Sequence, residues 1–569
     1  MERIIRDLNV PKYYSKKYES LKETNSSRWW KDIKNLGGLT TSGEWHQQLI
    51  TEDIQSTDQL VENFNIFLVS LTENFKPLTP DFCEILDVPP EFLISTDQAY
   101  EALRGIKINK AIGPDMIPNM ILKEFAYELA PVFTDIYNTS LKQGTVPQDL
   151  KRSIVRPLPK CHPPKSIEND LRPIALTSQI AKLMEGFTLK SLHKQINHLI
   201  DPKQFAVSKK STTHALLYYM HVILEALDRG NCSVRVFFAD FKKGFDLVDH
   251  NVLINELHNL GVHKSLVQWI RAFLTERQQA VKIGVVMSSW MKTNGGIPQG
   301  TKLGPLLFAV LVNSLLSDWQ TKLKFVDDTT AIEIIPRCSP SIMPLIVNSI
   351  NEFSSTRGMK LNPLKCKEMI VNFLQYRLPI TSPMYIGDTP IDQVNSYKLL
   401  GLYVTSDLSW NVHIDYICKK ANSRLYALRL LKKSGLNTSD LIKIYCSLVR
   451  SVLEYVAPVW SNLPDHLSRK IESLQKRALR IVYPEHCYQE ALQTSCLPTL
   501  SERRETICKD LKFNLKMSQN ISNPLISIIK PLQTRNISYN LRSTPQQVNS
   551  KIKTDRFRDF FTNKNYKDS

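Results

Sequence analysis

The chain has 569 residues, too many for a single hydrophobic core, so three or four structural units are expected. With 42% hydrophobic and 22% charged residues it has an ordinary globular balance, which excludes a disordered chain, and no run of 18 apolar residues offers a membrane span. The net charge of +18 is uneven: residues 411–569 carry 27 Lys+Arg against 13 Asp+Glu, a net of +14, leaving +4 for residues 1–410. Such a basic segment points to a polyanionic partner.

In chain order, residues 1–48 are polar, with Tyr13, Tyr14, Trp29 and Trp30 among bases, and read as a short helical hairpin that docks on a later domain. Leu60, Phe64 and Phe67 carry helical periodicity within residues 58–75. A Gly/Pro-rich loop, Lys110-Ala-Ile-Gly-Pro-Asp-Met-Ile-Pro, precedes a helix expected from Asn119 to Leu141. From Ile154 to about Leu402 short strands alternate with helices, at Ile154–Pro157, Ile180–Leu192, His214–Leu227, Val234–Phe241 and Val252–Leu260, the last behind an Asp249 cap. After Thr405 the pattern is helical, with one stripe formed by Ile414, Ile417, Ala421, Leu425 and Leu428 and bases mostly off it. Leu441–Val456 and Leu467–Val482 complete a basic three-helix bundle, and Asn514–Ser569 reads as a polar, least ordered tail. The ten cysteines form no C-x₂-C pair and no Cys-His knuckle, the pattern of reduced thiols in an intracellular protein.

Two acidic clusters carry the chemistry. Asp240 ends the apolar run Val234, Val236, Phe237, Phe238, and Asp327-Asp328 interrupts a hairpin formed by Leu323–Phe325 and Ala331–Ile335, 87 positions from Asp240 to Asp327. Adjacent carboxylates at a tight turn repel one another, and a divalent cation removes that cost. A third carboxylate from the neighbouring strand completes an oxygen site suited to Mg²⁺. Two such ions about 4 Å apart serve in-line phosphoryl transfer.

Seven stretches stand in a consistent order: Lys110-Ala-Ile-Gly-Pro-Asp-Met-Ile-Pro, Leu171-Arg-Pro-Ile-Ala-Leu-Thr-Ser, Asp240-Phe-Lys-Lys-Gly-Phe-Asp-Leu-Val-Asp-His, Gly296-Ile-Pro-Gln-Gly-Thr-Lys-Leu-Gly-Pro, Phe325-Val-Asp-Asp, Gly358-Met-Lys-Leu-Asn-Pro-Leu-Lys and Leu400-Gly-Leu-Tyr-Val. From about Pro11 to Pro484 the chain resembles the reverse transcriptases of non-LTR retrotransposons, jockey-like elements in particular. The resemblance implies an α/β (α+β) right-hand polymerase, with fingers and a palm built on a small antiparallel sheet and an all-helical thumb. The units implied are an N-terminal helical extension (1–100), fingers (101–233), palm (234–404), thumb (405–485) and a basic tail (486–569).

Residue by residue, the resemblance makes Asp240, Asp327 and Asp328 metal-binding carboxylates for two Mg²⁺ ions, with Mn²⁺ as a substitute. Phe245 matches the aromatic gate against a 2′-hydroxyl, and Gln299 and Gly300 match the loop beneath the nascent base pair. Lys160 and Arg172 match triphosphate-neutralising residues, Lys365 the proton donor to leaving pyrophosphate, and Gly401 the hairpin that positions the primer end. The sequence departs from its relatives at Val326 and Gly244, where Ala is commoner, and neither is a metal ligand. The partners implied are an RNA template, a DNA primer or nicked target DNA, and dNTPs, with no membrane; the nucleus is the expected place of integration. Such elements usually carry an endonuclease ahead of the polymerase, and only about 100 residues precede the Gly-Pro-Asp loop, so a separate nuclease is expected. The alternatives are a catalytically inactive or domesticated RNA-binding derivative, a group II intron maturase, or an RNA-templated RNA polymerase; the intact carboxylates and Phe245 weigh against them.

Overall fold

A computed structural model describes residues 29–30, 33–34, 45–50, 54–79, 86–207, 209–374, 381–518, 522–529 and 552–564. The hairpin expected over residues 1–48, with Tyr13 and Tyr14, lies mostly outside them; Trp29, Trp30 and the fully buried Ile33 pack against the core shared by palm and thumb. Among the described residues no helix is long and apolar enough to cross a membrane.

The molecule is organised around one strand, Cys232–Ala239, whose eight residues are all buried. It is the middle of a five-stranded sheet ordered Asp392–Gln393, Lys367–Val371, Cys232–Ala239, Asp328–Pro336, Lys322–Phe325. Because side chains alternate along a strand, its two faces serve different cores. Val234, Val236 and Phe238 join a core with helix Thr212–Arg229 and the C-terminal helices, while Phe237 and Ala239 join the core beneath helices Gln179–Ile196 and Gly304–Leu311. A strand buried on both faces reads as a continuous apolar run rather than as an alternation. Arg235, the one charge in it, is neutralised by Glu368 at 2.6 Å and also donates to Ser341 and the Ser382 carbonyl.

A second sheet is built from strands between residues 152 and 292. Strand Arg152–Pro159 pairs antiparallel with Leu171–Thr177 and parallel with Gln278–Ile283. The helix foreseen near residue 58 runs Thr57–Ser70 behind a Ser56 cap and lies on this sheet, with Leu60, Val61 and Phe64 against Val155, Leu171 and Val281. Asn65, buried in the same contact, is held by Ser288, the Ser289 carbonyl and Gln279.

Three expectations change. The helix expected from Asn119 to Leu141 is two helices, Asn119–Glu124 and Ala126–Gln143, because Phe125 leaves helical geometry (φ −93°, ψ 27°). The helices do not end near residue 485: Tyr488–Ser495 and Leu500–Met517 follow, the latter burying Leu500, Cys508 and Leu515 in the core of the first three. The tail is not simply a loose end, since residues 552–564 dock on helix Thr212–Arg229. There Asp228 accepts hydrogen bonds from the Lys553 and Thr554 amides and the Thr554 hydroxyl, Thr562 pairs with His221 Nδ1 at 3.1 Å, and Phe557, Phe560 and Phe561 are buried. The apolar stripe of Asn411–Lys433 is the one anticipated, and the Asp249 cap accepts from the amides of Asn251 and Val252.

Candidate active site

Asp240 follows the last residue of the central strand. That strand pairs with Asp328–Pro336 in a register that sets Ala239 against Thr329, so the next rung places Asp240 opposite Asp328. The hairpin closes with Phe325 paired to Asp328, leaving Val326 and Asp327 as a two-residue turn. Three carboxylates thereby come to one end of the sheet: Asp327 from the turn, Asp328 from the strand it opens, and Asp240 from just past the end of the neighbouring strand. Asp240 is fixed from behind: its carbonyl accepts the Asn362 amide at 2.8 Å and its own amide faces Cys366 Sγ at 3.4 Å.

The corner is acidic, and nearby bases compensate it only in part. Burial raises the carboxyls of Asp240 and Asp327, with Lys365 and Lys160 opposing the shift at Asp240 and Arg172 opposing it at Asp327. Asp328 is pushed up to about 7, first by loss of surrounding water and then by the charges of Asp327 and Asp240. Among the described residues no three His, Cys, Asp or Glu side chains stand close enough together to grip a metal ion as placed. The donor set is nonetheless all oxygen and carries excess negative charge, which suits Mg²⁺, and ligation needs only that the carboxylates turn toward one another.

The other anticipated residues surround this corner. Phe245 stacks on Phe308 with ring centroids 5.0 Å apart, and a Cβ at Gly304 would lie 3.6 Å from its ring. Its loop is clamped to the segment before Gln299 by Ile297 N–H to the Phe245 carbonyl and Gly296 N–H to the Val248 carbonyl, both 2.8 Å. Gly300 has φ 125°, and a Cβ there would sit 2.7 Å from the Ala175 carbonyl, so only glycine lets this loop dock on strand Leu171–Thr177. The Gln299 carbonyl accepts the Ala175 amide at 2.7 Å, and its side chain donates to Asp246 at 3.1 Å. Lys160 and Arg172 are exposed on the facing sheet, and Lys160 donates to the Asn169 carbonyl. Lys365 is exposed in the turn after Asn362.

Gly401 lies in the turn joining strands Ser396–Leu399 and Leu402–Thr405. Its φ is 89°, and a Cβ would meet the Tyr455 ring at 3.1 Å; the Tyr455 hydroxyl donates to the Leu400 carbonyl at 2.7 Å. The same hairpin is pinned to the central strand by Tyr397, stacked on Phe238 at 3.9 Å.

Sequence reasoning missed several participants. Asp246 had a signal, the first acid to follow Asp240 in that stretch; its carboxyl is raised by burial, with Gln299 opposing. Lys243, at φ 48°, donates to the Glu168 carbonyl and lies 3.9 Å over Phe67, so it ties the palm turn to the facing sheet and the N-terminal helix; burial draws its pKa down to about 8. Tyr397 and Tyr455 had no local signal, because each acts on a partner far away in sequence.

An Asp just past a strand end, opposite an Asp-Asp pair where a hairpin turns on a small sheet, is the arrangement of a right-hand polymerase palm. Residues 159–404 match the family described as reverse transcriptase (RNA-dependent DNA polymerase), and the chain carries a domain of that kind. Proteins similar to it include RNA-directed DNA polymerases named for transposons and mobile elements. The probable RNA-directed DNA polymerase from transposon BS of Drosophila melanogaster is 23% identical over 453 residues, 75% of this chain and 48% of the relative. The RNA-directed DNA polymerase from mobile element jockey of Drosophila funebris is 22% identical over 496 residues, 81% of this chain and 53% of the relative. The chain thus spans about half the length of the curated relatives it matches. A solved telomerase from Candida albicans, in complex with a fragment of telomeric RNA, aligns over 85% of this chain and 96% of its own at 11% identity with a TM-score of 0.34.

Proposed function

We propose that the chain is an RNA-directed DNA polymerase that adds deoxynucleotides to a primer 3′-hydroxyl on an RNA template. The observation that carries this reading is the convergence of Asp240, Asp327 and Asp328 at one end of the sheet, where loss of surrounding water raises all three carboxyls and neighbouring carboxylates add to the shift at Asp240 and Asp328. Asp240 and Asp327 are the main ligands for two Mg²⁺ ions, with Mn²⁺ as a substitute, and Asp328 is the third. When bound, the ions supply Lewis acidity at the attacking and leaving oxygens. The primer 3′-hydroxyl gives up its proton to solvent as its oxygen bonds the α-phosphorus, the bond to pyrophosphate breaks, and Lys365 gives a proton to the leaving group.

Lys160 and Arg172 face the same corner and balance triphosphate charge. Phe245, with one face backed by Phe308, closes the space beneath the sugar. Gln299 and Gly300 support the base pair, and Gly401 with its hairpin supports the primer end. The basic helices after residue 411 grip the phosphate backbone without reading bases, which makes RNA template, DNA primer or nicked DNA, and dNTPs the partners.

The test is extension by the purified chain on annealed poly(rA)/oligo(dT) with Mg²⁺. Wild type extends the primer, and Asp240→Ala or Asp327→Ala lowers the rate about a thousandfold or more while template–primer affinity holds, since ~4 kcal/mol of transition-state stabilisation goes with the metal site. A wild-type protein that binds the duplex and never extends it overturns the reading.

A further inference from the structure

The catalytic turn contains a conformational oddity. Val326 has φ 58°, in the left-handed region, although it is β-branched. A two-residue hairpin turn with positive φ at its first position normally takes glycine there, and a branched Cβ makes that conformation strained. The Phe325–Val326 peptide can relieve the strain by flipping, which would swing the adjacent Asp327 carboxylate away from Asp240. Something outside the turn must therefore hold it.

That anchor is a buried amide 122 positions away. Gln204 is 1% exposed, and its Oε1 accepts the Val326 N–H at 3.1 Å and the Ala206 N–H at 3.2 Å. Two backbone donors converge on one side-chain atom, which fixes the oxygen of the amide toward the turn. Gln204 is itself immobilised. Its segment adds to the free edge of the hairpin, with Lys324 N–H to the Lys203 carbonyl at 2.9 Å and Phe205 N–H to the Lys324 carbonyl at 2.8 Å. Beneath it, the fully buried Lys324 ammonium joins Asp201 to the Val312 and Asn313 carbonyls, each at 2.9 Å. The chain of contacts runs from the end of helix Gly304–Leu311 through Lys324 and Asp201 to Gln204 and on to the amide beside Asp327.

We infer that Gln204 is a positioning residue for the catalytic carboxylate: it holds Val326 in its left-handed conformation and so aims Asp327 at the metal site. The inference rests on the polymerase reading above.

The experiment is a double-mutant cycle in the full chain, read by primer extension and by the Mg²⁺ concentration giving half-maximal rate. Gln204→Met keeps the length and removes the acceptor; kcat should fall about ten- to hundredfold and the half-maximal Mg²⁺ should rise, with template–primer binding unchanged. Gln204→Asn keeps a polar amide too short to reach, and should show the same loss if the methionine variant folds poorly. Val326→Gly, combined with either, should restore at least about fivefold of the lost rate, because glycine adopts φ 58° without an anchor. Full activity in both Gln204 variants overturns the inference, as does loss that glycine leaves unrepaired or outright unfolding of both. Inactivity of the wild type under all conditions would instead fell the polymerase reading.

Discussion

Gly244 sits against Asp327 itself: a Cβ there would lie 3.4 Å from the Asp327 Cβ and 3.3 Å from the Phe308 ring. The same Phe308 supports Phe245, so Phe245 and the carboxylate share one packing unit. Phe245→Ala should therefore open the sugar space and lower the dNTP-over-rNTP ratio of kcat/KM by about tenfold or more, with Mg²⁺ dependence intact. A ratio that stays put would make Phe245 a packing residue only. A second residue-scale expectation concerns Asp328, whose folded pKa of about 7 lies above the unfolded value near 3.9. Between those values the folded state holds the extra proton, so metal-free protein should lose stability as pH rises toward 7 and level off above it. Mg²⁺, or Asp328→Asn, should reduce that slope in melting curves recorded against pH. The three aspartates were legible because charge in an apolar run is conspicuous. Gln204 and Tyr455 were not, since a neutral residue bonding a distant backbone atom leaves no pattern in its own neighbourhood.

The basic helices present their charge away from the core. In Asn411–Lys433, Lys419, Lys420, Arg429 and Lys433 are exposed while Ile414, Ile417, Ala421, Leu425 and Leu428 are buried, and Lys476, Arg477 and Arg480 of Asp465–Val482 are exposed likewise. Replacing Lys419 and Lys420 by Glu should weaken template–primer binding and reduce the slope of log affinity against log salt by about 2, roughly one per lost phosphate contact. Equal slopes would place the grip on another surface. The stripe could be read in advance because its period of 3.6 residues is set by helix geometry. The break at Phe125 and the wide π-turn at Tyr445–Arg450 could not, since each interrupts a pattern without altering its composition.

Across the whole molecule, the C-terminal segment closes over the back of the palm. Phe561 has no exposed surface, and Lys512 donates to the carbonyls around it. Phe561→Ala should destabilise the fold by about 3–5 kcal/mol, the usual range for emptying a buried aromatic site, seen as an earlier denaturation midpoint. Unchanged stability would mean the segment docks too weakly to matter. Nothing in residues 514–569 announced this: three phenylalanines among polar residues do not make a helix period, and the carboxylate that captures the segment, Asp228, lies more than 300 positions upstream.

That separation sets a clock during synthesis. Helix Thr212–Arg229 leaves the ribosome long before Thr554, and the 326 residues from Asp228 to Thr554 take about 16–65 s at ordinary elongation rates. For that interval the helix face that receives Phe557, Phe560 and Phe561 has no lid, and a message broken before the codons for residues 552–564 yields a protein in which the face stays bare. Products stopped short of that segment would be marked for chaperones and proteases by their own exposed surface, and only a chain read through residue 564 can bury it.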